Sequence, residues 1–139
     1  MDGLFWRSAN SNFIDIAVLE WYKLFADGRG QHHWRKVVSD PDSFRTGLFV
    51  ALRMTEAEFE AYIARVKEYR DKFVAHLDDL EVMDIPWLRV ARQSAAYLFN
   101  YLRAHEEVEN YFHDAPTSAG SFYGVAARQG RQVYGTLMN

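Results

Sequence analysis

An all-α bundle is the fold class this sequence predicts, and three observations predict it. Apolar residues recur at three- and four-residue steps almost everywhere from Asn12 to Phe112. Helix starts and stops punctuate that rhythm at Thr55-Glu56-Ala57-Glu58, at Asp27-Gly28 and at Pro41. The 139 residues suit one domain with one core. The expectation is an up-and-down bundle of four to five helices over residues 1–113, followed by a weakly structured, glycine-containing tail over 114–139.

The elements follow in order. Ile14, Ala17, Val18, Trp21, Leu24 and Phe25 line one face of a first helix, which starts after the caps at Asn10 to Asn12 and stops at Asp27-Gly28. Ile16 and Leu19 fall on its other face, so the bundle or a partner should cover both sides. Gln31 to Val38 is a short piece in which Trp34 and Val37 or Val38 anchor on the core; Pro41 ends it by pushing the preceding residue out of helical geometry. A short helix over Pro41 to Arg53 carries Phe44, Leu48, Val50 and Leu52. Thr55 and Glu58 have the form of a capping box and open the most legible helix. Asp84 as cap and Pro86 in the first turn begin a long fourth helix over Ile85 to Phe112. Beyond His113 come Asp114-Ala115-Pro116-Thr117-Ser118-Ala119-Gly120, which is loop chemistry, and then a stretch with Arg128, Arg131 and no acid.

Composition excludes several classes. With no cysteine, disulfide scaffolds, thiolate metal sites and cysteine nucleophiles drop out. The start, Met1 to Asn10, lacks the basic and apolar regions of a secretory leader, and no apolar run approaches a membrane span, so a cytoplasmic protein without membrane contact is expected. A net charge of -3 argues against a general nucleic-acid coat, though not against a local basic site. Aromatic residues make up 16% of the chain, which calls for an aromatic core or an apolar interface with another subunit.

The stretch Tyr69 to Asp79, Y-R-D-K-F-V-A-H-L-D-D, carries the chemistry. At about 100° per residue, Phe59, Ile63, Val66, Phe73 and Leu77 form a stripe with Arg70 at its centre, while Asp71, Lys72 and Glu68 point to solvent. His76 lies about 120° from Arg70, beside Tyr69, and about 9 Å further along the axis. A guanidinium in an apolar stripe must meet an acid, an anion or water. Either Glu109, on the same stripe of the fourth helix as Ala91, Leu98, Leu102 and His105, pairs with it, or Arg70 faces a crevice and meets phosphate.

Arg70-Asp71-Lys72-Phe73-Val74-Ala75-His76, near the end of a helix in a small all-α chain, resembles the RNase motif of the HEPN superfamily. With M-T-E-A-E-F-E-A-Y before it and D-I-P-W-L after it, the stretch is similar to the branch found in abortive-infection proteins. The resemblance implies a bundle that dimerises through the motif helix, with a cleft lined by both subunits and metal-independent cleavage of RNA. His76 would act as general acid or base on the 2′-hydroxyl or the leaving oxygen, Arg70 would stabilise charge developing on phosphate, and Asp71 would orient its neighbours. Lys72, Arg65 and Tyr69 would contact substrate. A homodimer, RNA and an antitoxin or other protein are the expected partners, and neither cofactor nor metal is expected. Asp78 stands two residues after the histidine where members paired with a nucleotidyltransferase often carry tyrosine, so that modification is not expected. Asp78, Asp79, Glu81 and Asp84 put negative charge on the cleft side, partly offset by Arg65, Lys67 and Lys72.

Two other classes compete. One is a non-catalytic HEPN-like module that binds a nucleotide or a protein, with a structural Arg70. The other is a metal-binding bundle built on His105, Glu109 and His113, which are four apart and share a face; alternatively those residues satisfy one another or pair with Arg70. His32-His33-Trp34-Arg35-Lys36 mixes bases with an aromatic, as single-strand binders do, but it reads better as a core anchor with its charges outside. The glycines near Arg128 and Arg131 match no phosphate-loop spacing.

Overall fold

The structure, a computed structural model, describes residues 3–75, 86–106 and 113–137. These residues form an all-helical bundle without a strand: α1 (Gly3–Phe25), a 3-10 turn (Trp34–Lys36), α2 (Pro41–Leu52), α3 (Glu56–Ala75), α4 (Leu88–His105) and α5 (Ala119–Leu137).

Local chemistry accounts for most boundaries. Asp40 caps α2 by accepting from the Ser43 amide at 3.0 Å, and Pro41 occupies the first turn. Arg53 ends that helix in the left-handed region at φ 53°, its amide returning to the carbonyls of Phe49 and Val50. The capping box of α3 closes in both directions. The Thr55 amide donates to Glu58 Oε2 at 2.7 Å, and the Glu58 amide donates to Thr55 Oγ1 at 3.3 Å.

Three boundaries differ from expectation. Helix α1 starts at Gly3 and runs through Asn10 to Asn12, whose exposed side chains leave nothing buried without a partner and so do not break it. Helix α4 starts at Leu88, after the non-helical Pro86 and the cap residue Trp87, and it ends at His105 because Glu106 is extended (φ -102°, ψ 156°); Asp84, Ile85 and residues 107–112 of the expected helix lie outside the described residues. The tail is not weakly structured over its length: α5 occupies 19 residues of it. The Ser121 amide donates to Ser118 Oγ at 3.1 Å, and the Ala119 amide donates to Asn100 Oδ1 on α4 at 2.9 Å, so the new helix is both capped and tethered.

Helices α1 and α3 pack antiparallel, with Phe25 against Phe59, Trp21 against Tyr62, and Asp15 against Tyr69. Helix α2 lies antiparallel to α4, with Gly47 against Tyr97 and Phe44 against Tyr101. Eight described aromatic residues build the core: among them, the Trp21 and Phe25 rings stack at 5.4 Å, Tyr62 meets Trp21 edge-on at 5.3 Å, and Trp34 lies 4.5 Å from Phe44. Trp34 and Val38 anchor the 3-10 segment as expected, while Val37 points out. Trp21 Nε1 donates to Ser94 Oγ at 2.8 Å, and that hydroxyl donates onward to α4 carbonyls, so the polar end of a buried indole is satisfied inside the core.

Candidate functional site

Phe59, Tyr62, Val66 and Tyr69 recur at steps of three, four and three along α3, and all four are buried. This corrects the stripe. Its axis runs through Tyr62, Val66 and Tyr69, so Arg70 falls on a flank and keeps 27% of its side chain exposed. The guanidinium is nonetheless held. Its Nε donates to Asp71 Oδ1 at 2.9 Å, Nη2 donates to the same oxygen, and Cζ sits 3.9 Å from the centre of the Tyr22 ring on α1. The Asp71 carboxylate, more than any other influence, raises the arginine above its ordinary pKa and keeps it charged.

A guanidinium has five N–H groups. Asp71 occupies one edge, while Tyr22 lies against one face and its hydroxyl also hydrogen-bonds the guanidinium. Asp71, expected to point away into solvent, is half exposed and binds Arg70. Glu109 and His76 lie outside the described residues, so neither the Arg70–Glu109 pairing nor the placement of the histidine is part of this geometry.

The remaining expected contacts are spread around α3. Arg65 and Lys72 sit about 140° and 160° around the helix from Arg70, on its opposite flank. Lys72 pairs with Glu68, and Arg65 lies over the Tyr62 ring at 5.9 Å. Tyr69, expected to contact substrate, is 6% exposed and donates its hydroxyl to the buried Asp15 of α1 at 2.7 Å. Burial first, and then the Asp15 carboxylate, pushes this phenol far above its ordinary range, so it stays a donor. The cation that shares Arg70's side of the helix is Lys67, three residues earlier. Tyr22 and Asp15 could not be found from the motif, because they reach it only through the packing of α1 on α3; the signal for Lys67 was its spacing.

The other constellations change as well. His105 and His113 do not share a continuous helix, since α4 stops at His105. His105 stacks on Tyr101 at 4.3 Å, His113 pairs with Asp114 at 2.9 Å, and no cluster of metal-binding side chains occurs among the described residues. Trp34 is buried with Arg35 over its ring, so it offers no stacking platform to a base. No described helix is long and apolar enough to cross a membrane. Comparison with protein-family models, with curated proteins and with solved structures finds no match.

Proposed function

We propose that this chain is a HEPN-like, metal-independent endoribonuclease, a toxin or phage-defence effector that acts as a homodimer with its cleft between two copies of the motif segment. The observation that supports this reading is the state of Arg70: charged, reachable, and oriented by the polar residue that directly follows it, as the motif requires. A structural ion would be enclosed by its partner, whereas this side chain stays about a quarter exposed. In the reaction, His76 takes the proton of an RNA 2′-hydroxyl, the oxygen attacks phosphorus, and the bond to the 5′-oxygen breaks to give a 2′,3′-cyclic phosphate and a 5′-hydroxyl, the leaving oxygen taking its proton from an imidazolium or from water. Arg70 donates to the non-bridging oxygens as charge builds on them, and Tyr22 and Asp71 keep the guanidinium from swinging away. Two copies related by a two-fold axis would bring Arg70 of one subunit toward His76 of the other.

The test is cleavage of a mixed RNA pool in EDTA by wild type, Arg70→Ala and His76→Ala, with thermal melts on the same samples. Cleavage by wild type alone, reduced at least 100-fold in both variants with unchanged melting, is expected. No cleavage by wild type, with a much lower melting temperature for Arg70→Ala, would instead identify the arginine as structural. A second reading, a non-catalytic module that binds a protein, is favoured by the exposure of Phe122, Tyr123 and Val133 on α5. Under that reading wild type cuts nothing and co-purifies with a partner.

A further inference from the structure

On the side of α1 away from Tyr22 lies a half-open groove of about 650 Å³ between α1, α3 and α4. Its floor is Trp21, Val66 and Ala95, its walls include Ala17 and Ala91, and its polar groups are confined to the rim. The indole N–H of Trp21 is already bonded to Ser94, so the floor presents carbon and not a donor. This volume lies in the range of small-molecule sites, and an apolar interior with a few convergent polar groups is their usual chemistry. The apolar surface continues along α1 to Phe13, which is 69% exposed and one turn before Ala17 on the same flank. From Phe13 to Leu24 that flank spans about 16 Å.

The rim decides the class of ligand. Its charged members are Glu20, Arg89 and Arg92. Glu20 is engaged by Lys23 at 2.6 Å. Arg89 and Arg92 are three apart on α4, both exposed, and neither is in an ion pair with a described residue. An uncharged apolar ligand would leave both cations unused, and a basic one would be repelled by them.

We infer that the groove binds a free amphipathic anion, a molecule with an apolar tail of about 16 Å laid along α1 and an acidic head held by Arg89 and Arg92. The tail covers Trp21 and the alanines, whose small side chains make the depth, and the head takes the donors of two guanidinium groups that line the groove three residues apart on α4. The site is separate from Arg70, because Tyr22 and Ala17 project from α1 about 140° apart.

Dodecanoate is the probe, used below its micellar concentration in titration calorimetry, with dodecanol as the uncharged control and anionic phospholipid vesicles as the surface control. Saturable binding at one site per chain is expected, with dodecanol weaker and vesicles unbound. Arg89→Gln with Arg92→Gln should weaken dodecanoate about tenfold or more and leave dodecanol unchanged. Ala17→Trp, at an exposed position, should fill the groove and abolish both without lowering the melting temperature. No saturable binding, equal affinity for dodecanoate in the double arginine variant, or undiminished binding by Ala17→Trp would each overturn the proposal. So would binding to vesicles without binding of the free acid, which would make this a membrane-facing surface.

Discussion

Tyr69 and Arg70 are neighbours in sequence with opposite fates, because 100° of helix rotation turns one into the core and leaves the other at its edge. Tyr69 satisfies Asp15, a carboxylate only 5% exposed. Tyr69→Phe removes that donor and should cost about 1–3 kcal/mol, the usual consequence of leaving a buried polar group unpaired, as read from urea unfolding. A destabilisation below about 0.5 kcal/mol would show that Asp15 is solvated. His33 is another polar residue held in the interior. Its Nε2 donates to the Phe25 carbonyl and its Nδ1 accepts from the Arg35 amide, so the neutral ring bridges α1 and the 3-10 turn. Burial lowers its pKa below the ordinary value, against a smaller opposing pull from the Phe25 carbonyl. The unfolded chain therefore binds more protons just below about pH 6.5, and stability should fall as pH drops through that window while staying flat in this respect above it. Urea midpoints at pH 7.5, 6.5 and 5.5 for wild type and His33→Gln measure the difference in slope; parallel profiles would remove His33 from the account.

At the scale of elements, the contact between α2 and α4 depends on a missing side chain. A Cβ on Gly47 would lie 2.0 Å from Tyr97 Oη, and the Tyr97 ring is boxed in by Phe44 at 5.3 Å and Tyr101 at 6.1 Å. Gly47→Ala should destabilise by about 1–3 kcal/mol despite the better helix propensity of alanine. Tyr97→Phe in the same chain, which removes the oxygen in the way, should recover part of the loss in melting temperature; an unchanged melt for Gly47→Ala alone would show that the ring gives way. The elements most legible in the sequence are those whose ends are local. Asp40-Pro41 and Thr55 to Glu58 carry their own hydrogen-bonding partners within three residues, and the structure shows those bonds. Helix α5 was illegible for the converse reason. Its glycines read as loop chemistry, yet Ala119, Phe122, Tyr123, Ala126, Val133 and Tyr134 fall on one face, and the tether of Ala119 to Asn100 comes from another helix.

For the molecule as a whole, Tyr101 is the last buried core residue among the described residues. Among the described residues, the buried apolar side chains come from α1 to α4, the 3-10 turn and Val38 just after it, and α5 packs chiefly on α4. A chain stopped after Asp114 should therefore fold and melt within about 4 °C of the full chain, a shift that corresponds to about 1 kcal/mol at this size. A loss of 10 °C or more would mean that α5 covers part of the core in solution, as a second copy of the chain would allow. The same truncation separates the two readings of function, since the ribonuclease should keep its activity without α5 and a module that binds its partner through Phe122 and Tyr123 should not.

The sequence by itself determined the helical class, the start of α2 at Pro41, the capping box of α3, the buried faces of Trp21, Phe44, Phe59 and Val66, and the motif Arg70-Asp71, because each is set by spacing and by bonds that close within one turn. The tertiary structure alone decided that Tyr22 stacks on Arg70, that Tyr69 serves Asp15, and that an apolar groove rimmed by Arg89 and Arg92 opens beside α1. Those arrangements join residues 48, 54 and about 70 positions apart. Helical periodicity says which way a side chain turns, and only the packing of one helix on another says what it meets.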